Sequence, residues 1–176
     1  RDLRGSRIES EDLSGANLAD ADLTGTDLTG TNLSRANLSR AKLGGADLHR
    51  ANLGRANLTR AHLEGAQLEE AELGYAVLRE AFLTDANLPG ARLSYTILER
   101  ARLQRADLSV ANLTQANLKG ANLTDAYLRG ANFTDAHLEG VVLEGANLRG
   151  AKISRWYKDM IEASSAELKD TVEYYL

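Results

Sequence analysis

Few side chains in this sequence could do chemistry, and their spacing keeps them apart. The histidines are three, His49, His62 and His137, on separate stretches. No serine and acid fall at a spacing that would complete a nucleophilic constellation with any of them. Asp2 with Asp22, and Asp27 with Asp47, lie 20 residues apart. If the chain returned on itself at that interval, their carboxylates would stack about 5 Å apart, the spacing of neighbouring strands. Such a pair could approach Ca²⁺, but that ion wants six or more oxygens, more than these surroundings offer. Solvated acids are the plainer reading. Cysteine is absent, which removes disulfides and thiol chemistry and leaves the redox compartment open. The glycines cradle no phosphate and recur instead at turns. No catalytic residue, cofactor or metal is expected, and the chain reads as non-enzymatic.

What positions every side chain is a five-residue phase. From Leu3 to Ile153 every fifth position is apolar, 31 in all, and each is Leu except Ile8, Phe133 and Ile153. From Ala16 to Ala151 the residue two before each centre is Ala, apart from Thr26, Thr31, Thr96 and Val141. On a helix five residues advance about 140° beyond a full turn, which scatters the leucines around the axis. In a straight strand an odd spacing sends consecutive leucines to opposite faces. Both Ala and Leu point inward only if each pentapeptide is a short strand followed by a bend, so the chain must wind into a solenoid around its own leucines.

The bend falls two residues after each centre. Pro89 and Gly90 follow Leu88, and Pro-Gly suits the two central residues of a type II turn. Four sides close a coil of 20 residues, which stacks Tyr75 on Tyr95 and Val77 on Ile97 and alternates Arg79, Glu99, Lys119 and Glu139 in sign. A 15-residue coil produces less coherent pairs. Glycine recurs at the corners ending in Gly25 and Gly30, whereas the next two hold Arg35, Arg55, Tyr75, Tyr95 and Arg40, Arg60, Glu80, Arg100. Non-glycine residues resist positive φ, so type II turns are expected mainly at the first two corners.

Units such as ADLTG at 21–25 and ANLKG at 116–120 resemble the pentapeptide-repeat family, whose units read Ala-Asp/Asn-Leu-X-X. The resemblance covers residues 1–153. It implies an all-β solenoid, a right-handed quadrilateral β-helix of four pentapeptides per coil with small residues and Leu inside. One branch of that family mimics duplex DNA and binds DNA gyrase, through an acidic track along the rod and often as a dimer.

At 176 residues the chain is one domain, divided into a β-helix over 1–153 and a C-terminal cap over 154–176. No apolar run approaches the ~20 residues of a membrane span, and no signal-peptide pattern is present, so a soluble protein is expected, with its compartment open. The chain begins at Arg1 rather than Met, from which a processed or trimmed N-terminus is expected. The net charge of −4 is banded. Residues 31–63 carry six Lys/Arg against one acid, and residues 64–85 carry one against six. Belts of both signs suit a solvated rod better than a committed nucleic-acid site. Arg35 with Arg55 and Arg40 with Arg60 could meet phosphate, yet four arginines on a solenoid corner read first as a solvated face, and nucleic acid is not expected as a partner.

The ends and the middle depart from the rule. Arg1, Ser6 and Glu11 stand where Ala should point inward, so the first units are expected to fray or to need a cap. Residues 154–176 lose the phase. Tyr157, Ile161, Leu168, Val172 and Tyr175 approximate helical spacing, and Ser164 with Glu167 reads as a capping box, so two helices are expected, at about 155–163 and 165–175. They would cover the last coil, or alternatively form a dimer contact. Between 62 and 102 the outward position before the centre turns apolar at Val77, Phe82 and Ile97, and Tyr75 and Tyr95 occupy the adjoining corner. These five residues are the candidate protein-binding surface, because a contiguous apolar set rimmed by charge marks an interface. The alternative is that they stiffen the sheet by cross-strand pairing. The expected function is a rigid non-catalytic scaffold for an unknown protein partner, with duplex mimicry toward gyrase as the second reading and the choice of monomer or dimer open.

Overall fold

The accounting of backbone N–H groups explains the pentapeptide better than hydrophobicity alone. The computed structural model describes residues 2–164, 166 and 172–175. In each unit the central Leu donates to the following coil, as Leu58 N–H does to the Val77 carbonyl at 2.7 Å. The residue before it donates to the preceding coil, as Asn57 N–H does to Ala36 at 2.9 Å. The Ala N–H closes the bend onto the previous centre, Ala61 to Leu58 at 3.0 Å, and the corner residue again reaches the next coil, Arg60 to Arg79 at 2.9 Å. The fifth N–H, at the first turn position, is satisfied locally. An Asn or Asp two residues earlier turns its Oδ1 back to accept it, as Asn57 does for Thr59 at 3.1 Å and Asn32 for Ser34 at 3.1 Å. In units such as these, with Asn or Asp before the centre, five donors thus find five acceptors, which is what the Ala-Asn-Leu pattern supplies.

The partners fix the coil at 20 residues. Parallel bridges run Asn37 to Asn57, Asn57 to Val77 and Val77 to Ile97 on one side, and Lys42 to His62 to Phe82 to Arg102 on the next. Inside, the leucines from Leu23 to Leu63 are fully buried, as are the alanines beside them from Ala36 to Ala81. Thr26, Thr31 and Thr96 are tolerated at the Ala position because each hydroxyl donates to a carbonyl of the preceding coil, Leu3, Ile8 and Leu73, at 2.7, 2.6 and 2.9 Å. Phe133 is 2 % exposed and fits among the leucines near the C-terminal end.

The corners are alike, against the expectation that type II turns favour the glycine corners. Arg35, Arg55, Tyr75 and Tyr95 have φ of 59°, 60°, 60° and 60°, and even Val110 has 52°. Positive φ at the third turn residue, with the second outside that region, is the type II pattern. The cause is stacking: a tier hydrogen-bonds to the tiers on either side only if every corner follows the same path. The left-handed conformation, costing roughly 1–2 kcal/mol for a side-chain-bearing residue, is therefore imposed by neighbouring coils.

The first coil is hydrogen-bonded to the second, from Leu3 N–H to Asp22 at 2.8 Å through Ala16 and beyond. Among the described residues no further coil lies on its other side, and there Leu3, Ile8 and Leu13 are only partly buried and Glu11 is exposed at its inward position. At the other end, β1 (Asn132–Phe133), β2 (Lys152–Ser154) and β3 (Glu173–Tyr175) form a parallel sheet in that order. Between β2 and β3 lie a 3₁₀ turn, Arg155–Tyr157, and the helix α1, Lys158–Ala163. The first expected helix is present, but Glu173–Tyr175 is strand rather than helix, because the exposed edge of β2 offers parallel pairing that a three-residue helix end cannot match. The capping-box partner Glu167 lies outside the described residues; Ser164 Oγ instead accepts from Ala166 N–H at 3.3 Å.

The inward assignment predicts unequal costs of substitution. Leu98, 1 % exposed, should lose about 2–5 kcal/mol on truncation to Ala, and Lys119→Ala on the surface less than about 1 kcal/mol. Denaturant unfolding of the two variants measures the difference, and equal losses would contradict the packing.

Candidate functional site

Three kinds of ladder run along the outside of the rod, each set by the 20-residue repeat. The first is ionic. Arg40 makes a two-pronged pair with Asp20, at 2.7 and 2.6 Å. Arg50 meets Glu70, Arg60 meets Glu80 and Arg92 meets Glu72 within 2.7 Å, and Arg79 meets Glu99 at 2.8 Å. Arg105 holds Asp85 at 2.7 Å through both prongs. The second ladder is amide, with Asn37 Nδ2 donating to Asn17 Oδ1 at 3.3 Å. The third is aromatic.

On the aromatic ladder, Tyr75 and Tyr95 stack with ring centroids 4.6 Å apart and planes 3° from parallel. Both are corner residues, 53 % and 43 % exposed. Their N–H groups join the frame, Tyr75 to Ser94 and Tyr95 to Thr114, both at 3.0 Å. Val77 and Ile97, one residue beyond the buried Ala76 and Thr96, pair directly as parallel neighbours and are partly buried. The structure therefore brings Tyr75, Val77, Tyr95 and Ile97 into a two-by-two arrangement. Phe82 is not part of it. It sits on the next side, round the corner of Arg79 and Glu80, stacked on His62 at 4.5 Å with the Arg102 guanidinium 4.7 Å from its ring centre.

Two further features follow from the 20-residue spacing. Arg35 and Arg55 stand in the same corner column as Tyr75 and Tyr95, and the Arg55 guanidinium lies 5.5 Å from the Tyr75 ring centre. Secondly, Val77 and Ile97 occupy the position whose Asn or Asp normally accepts the N–H two residues on. Neither side chain carries an acceptor for it.

The groups with chemical potential remain apart. His49 is 3.8 Å from Glu69, His62 lies against Phe82 and His137 is two coils from Ile97. The stacked acids are engaged elsewhere: Arg4 holds the Asp2 carboxyl down to about 2, chiefly by its side-chain hydrogen bond, and Asp47 accepts the His49 N–H at 3.0 Å. No helix among the described residues is long and apolar enough to cross a membrane.

The sequence profile of pentapeptide repeats matches in 8 copies over residues 2–35, 12–50, 36–74, 71–109 and 111–150. The chain belongs to the pentapeptide-repeat family. Its solenoid is the right-handed quadrilateral β-helix of such proteins. Full-length QnrB1, a plasmid-mediated fluoroquinolone resistance protein, is 20 % identical with a TM-score of 0.63, over 90 % of this chain and 94 % of that one. HetL, involved in heterocyst differentiation regulation in the cyanobacterium Nostoc sp. strain PCC 7120, is 32 % identical over 98 % of this chain and 86 % of its own, with a TM-score of 0.37. No curated protein matches the sequence.

The ionic ladders give the pentapeptide-repeat rod a defined response to acid. Hydrogen bonds from the paired arginines hold the carboxyls of Asp20, Glu70, Glu80, Asp85 and Glu99 below their ordinary values. A carboxyl depressed in the folded state stabilises above its unfolded pKa, near 4, and that contribution is lost as pH falls through the folded value. Thermal midpoints should therefore fall between about pH 5 and pH 3, less steeply at high salt because the pairs are exposed. A midpoint that rises over that interval would contradict the assignment.

Proposed function

We propose that this protein is a rigid, non-catalytic scaffold that binds another protein through the surface of Tyr75, Val77, Tyr95 and Ile97, with Phe82 flanking it on the next side. The observation that carries the reading is the exchange at Val77 and Ile97. These positions give up the Asn or Asp side chain that satisfies the turn, as in Thr59 to Asn57, and place apolar groups toward water instead. Both the lost hydrogen bond and the exposed apolar area weigh against a purely structural role. Exposed tyrosines rimmed by arginine have the composition of interface anchors. Their backbone is held by inter-coil bonds, so little conformational freedom is lost on docking. Duplex mimicry toward gyrase would require an unbroken acidic track, whereas the ionic ladders alternate in sign along the rod.

The double variant Val77→Asn/Ile97→Asn separates the readings. It restores the amide acceptors, so thermal stability should hold or rise, while recovery of the partner by affinity capture from the source organism should fall at least tenfold. Unchanged recovery, or a marked loss of stability, would leave the surface with a structural role alone.

We propose in addition that residues 154–176 cap the β-helix. Supporting this, the buried Ile161 packs into the core cluster, and β3 covers the edge of β2. Two tyrosine hydroxyls stand where a further coil would place carbonyls: Tyr157 accepts the Leu138 N–H at 3.1 Å, and Tyr175 accepts the Asp135 N–H. Removing residues 154–176 should cause association without global unfolding, since each coil leans only on its neighbours. A truncated protein that stays monomeric by light scattering at high concentration would count against the cap.

A further inference from the structure

One corner column differs from the others in charge. It runs Gly15, Arg35, Arg55, Tyr75, Tyr95, Gln115, Asp135, with no acid near its arginines. In the neighbouring column Arg40 is bound by Asp20 and Arg60 by Glu80. Among the described residues, no carboxylate lies within ion-pair distance of Arg35 or Arg55, and the Arg55 guanidinium lies over the Tyr75 ring. The adjacent first-turn positions are small, Ser34, Gly54 and Gly74, so that a groove opens beside Arg35, Arg55 and Tyr75. Two like charges stacked one strand apart, ~4.8 Å, repel each other, and this is the arrangement an anionic ligand relieves.

We infer that this corner and the apolar square beside it form one continuous recognition strip for an acidic, then apolar, extended segment of a partner protein. The inference rests on the docking surface proposed above and adds the chemistry of what it takes. Carboxylates lie against Arg35 and Arg55, and apolar side chains lie over Tyr95, Val77 and Ile97. From Arg35 to Tyr95 is three coils, ~14 Å, which an extended peptide spans in about four or five residues. A polynucleotide fits less well. It draws its affinity from many neutralised phosphates, whereas this strip offers only two guanidiniums without a carboxylate partner among the described residues.

The test is fluorescence anisotropy with a labelled peptide, Asp-Glu-Ser-Phe-Val-Ser, and its reversed sequence, against the full chain. The comparison probes are Asn-Gln-Ser-Phe-Val-Ser and an oligothymidylate of about twelve bases. One acidic peptide should bind in the range of about 10–100 μM, more weakly as salt rises. Arg35→Gln/Arg55→Gln should weaken it about tenfold or more, with the Asn-Gln peptide equally weak on the wild type. Gln is suited to the corner, because Gln115 already holds φ 55° in the same column. Arg40→Gln/Arg60→Gln, which removes ion-paired arginines, should change affinity less than about twofold. Absence of peptide binding, equal losses from the two arginine variants, or tighter Arg35- and Arg55-dependent binding of the oligothymidylate would each overturn the inference. Partner capture distinguishes the two levels. Recovery lost with Val77→Asn/Ile97→Asn but kept with Arg35→Gln/Arg55→Gln overturns only the acidic-segment inference. Recovery kept with Val77→Asn/Ile97→Asn overturns the docking surface itself.

Discussion

The hydrogen bond from one coil to the next is the constraint on which the rest of this structure depends. A five-residue side is too short to pair with itself, so its donors must reach 20 residues along the chain or be met at the turn. Leu78 N–H to Ile97 at 2.7 Å and Val77 N–H to Ala56 at 2.9 Å show one side bonded in both directions at once. Leucine fills the interior that this spacing leaves, and alanine keeps the sides close enough to close the square. The same constraint sets the corner. Because tiers must superpose, Tyr75 and Val110 accept a left-handed conformation that their side chains disfavour.

How much of this could be read beforehand follows from where the information lies. The unbroken phase from Leu3 to Ile153 carries the solenoid, and pairs such as Tyr75 with Tyr95 carry the 20-residue coil, because inward position and stacking are written in residue type. The corner conformation is not written there. Local propensity separates Gly25 from Arg35, yet the ladder overrides it and gives both positive φ. At the C-terminus Val172 and Tyr175 look helical in spacing, but β3 joins the sheet, since an open edge competes with a weak helix. The role of Asn and Asp as turn acceptors was hidden for a different reason. Their spacing looks like ordinary outward polarity until the N–H of Thr59 is seen against Asn57. With that role known, Val77 and Ile97 change from mere exceptions to substitutions that forfeit a bond.

A solenoid of this kind separates what holds it from what it displays. The buried leucines and inter-coil bonds belong to the frame, whereas corner side chains and the residues before each centre point away from it. Stability is then close to a sum over neighbouring tiers, and outer ladders can vary in chemistry without disturbing the core. Ionic pairs such as Arg105 with Asp85 use that freedom for solvation. In the reading proposed above, the Arg35 to Tyr95 column and the pair Val77 and Ile97 use it for recognition.

This separation of frame and display is measured most directly by amide hydrogen exchange on a variant with Tyr75→Gln, Val77→Asn, Tyr95→Gln and Ile97→Asn together. Protection at the inter-coil donors Leu58, Leu78 and Leu98, and at the corner donors of residues 75 and 95, should match the wild type within experimental error. Loss of protection across those coils would show that the aromatic and apolar ladder holds the frame, and would contradict the account.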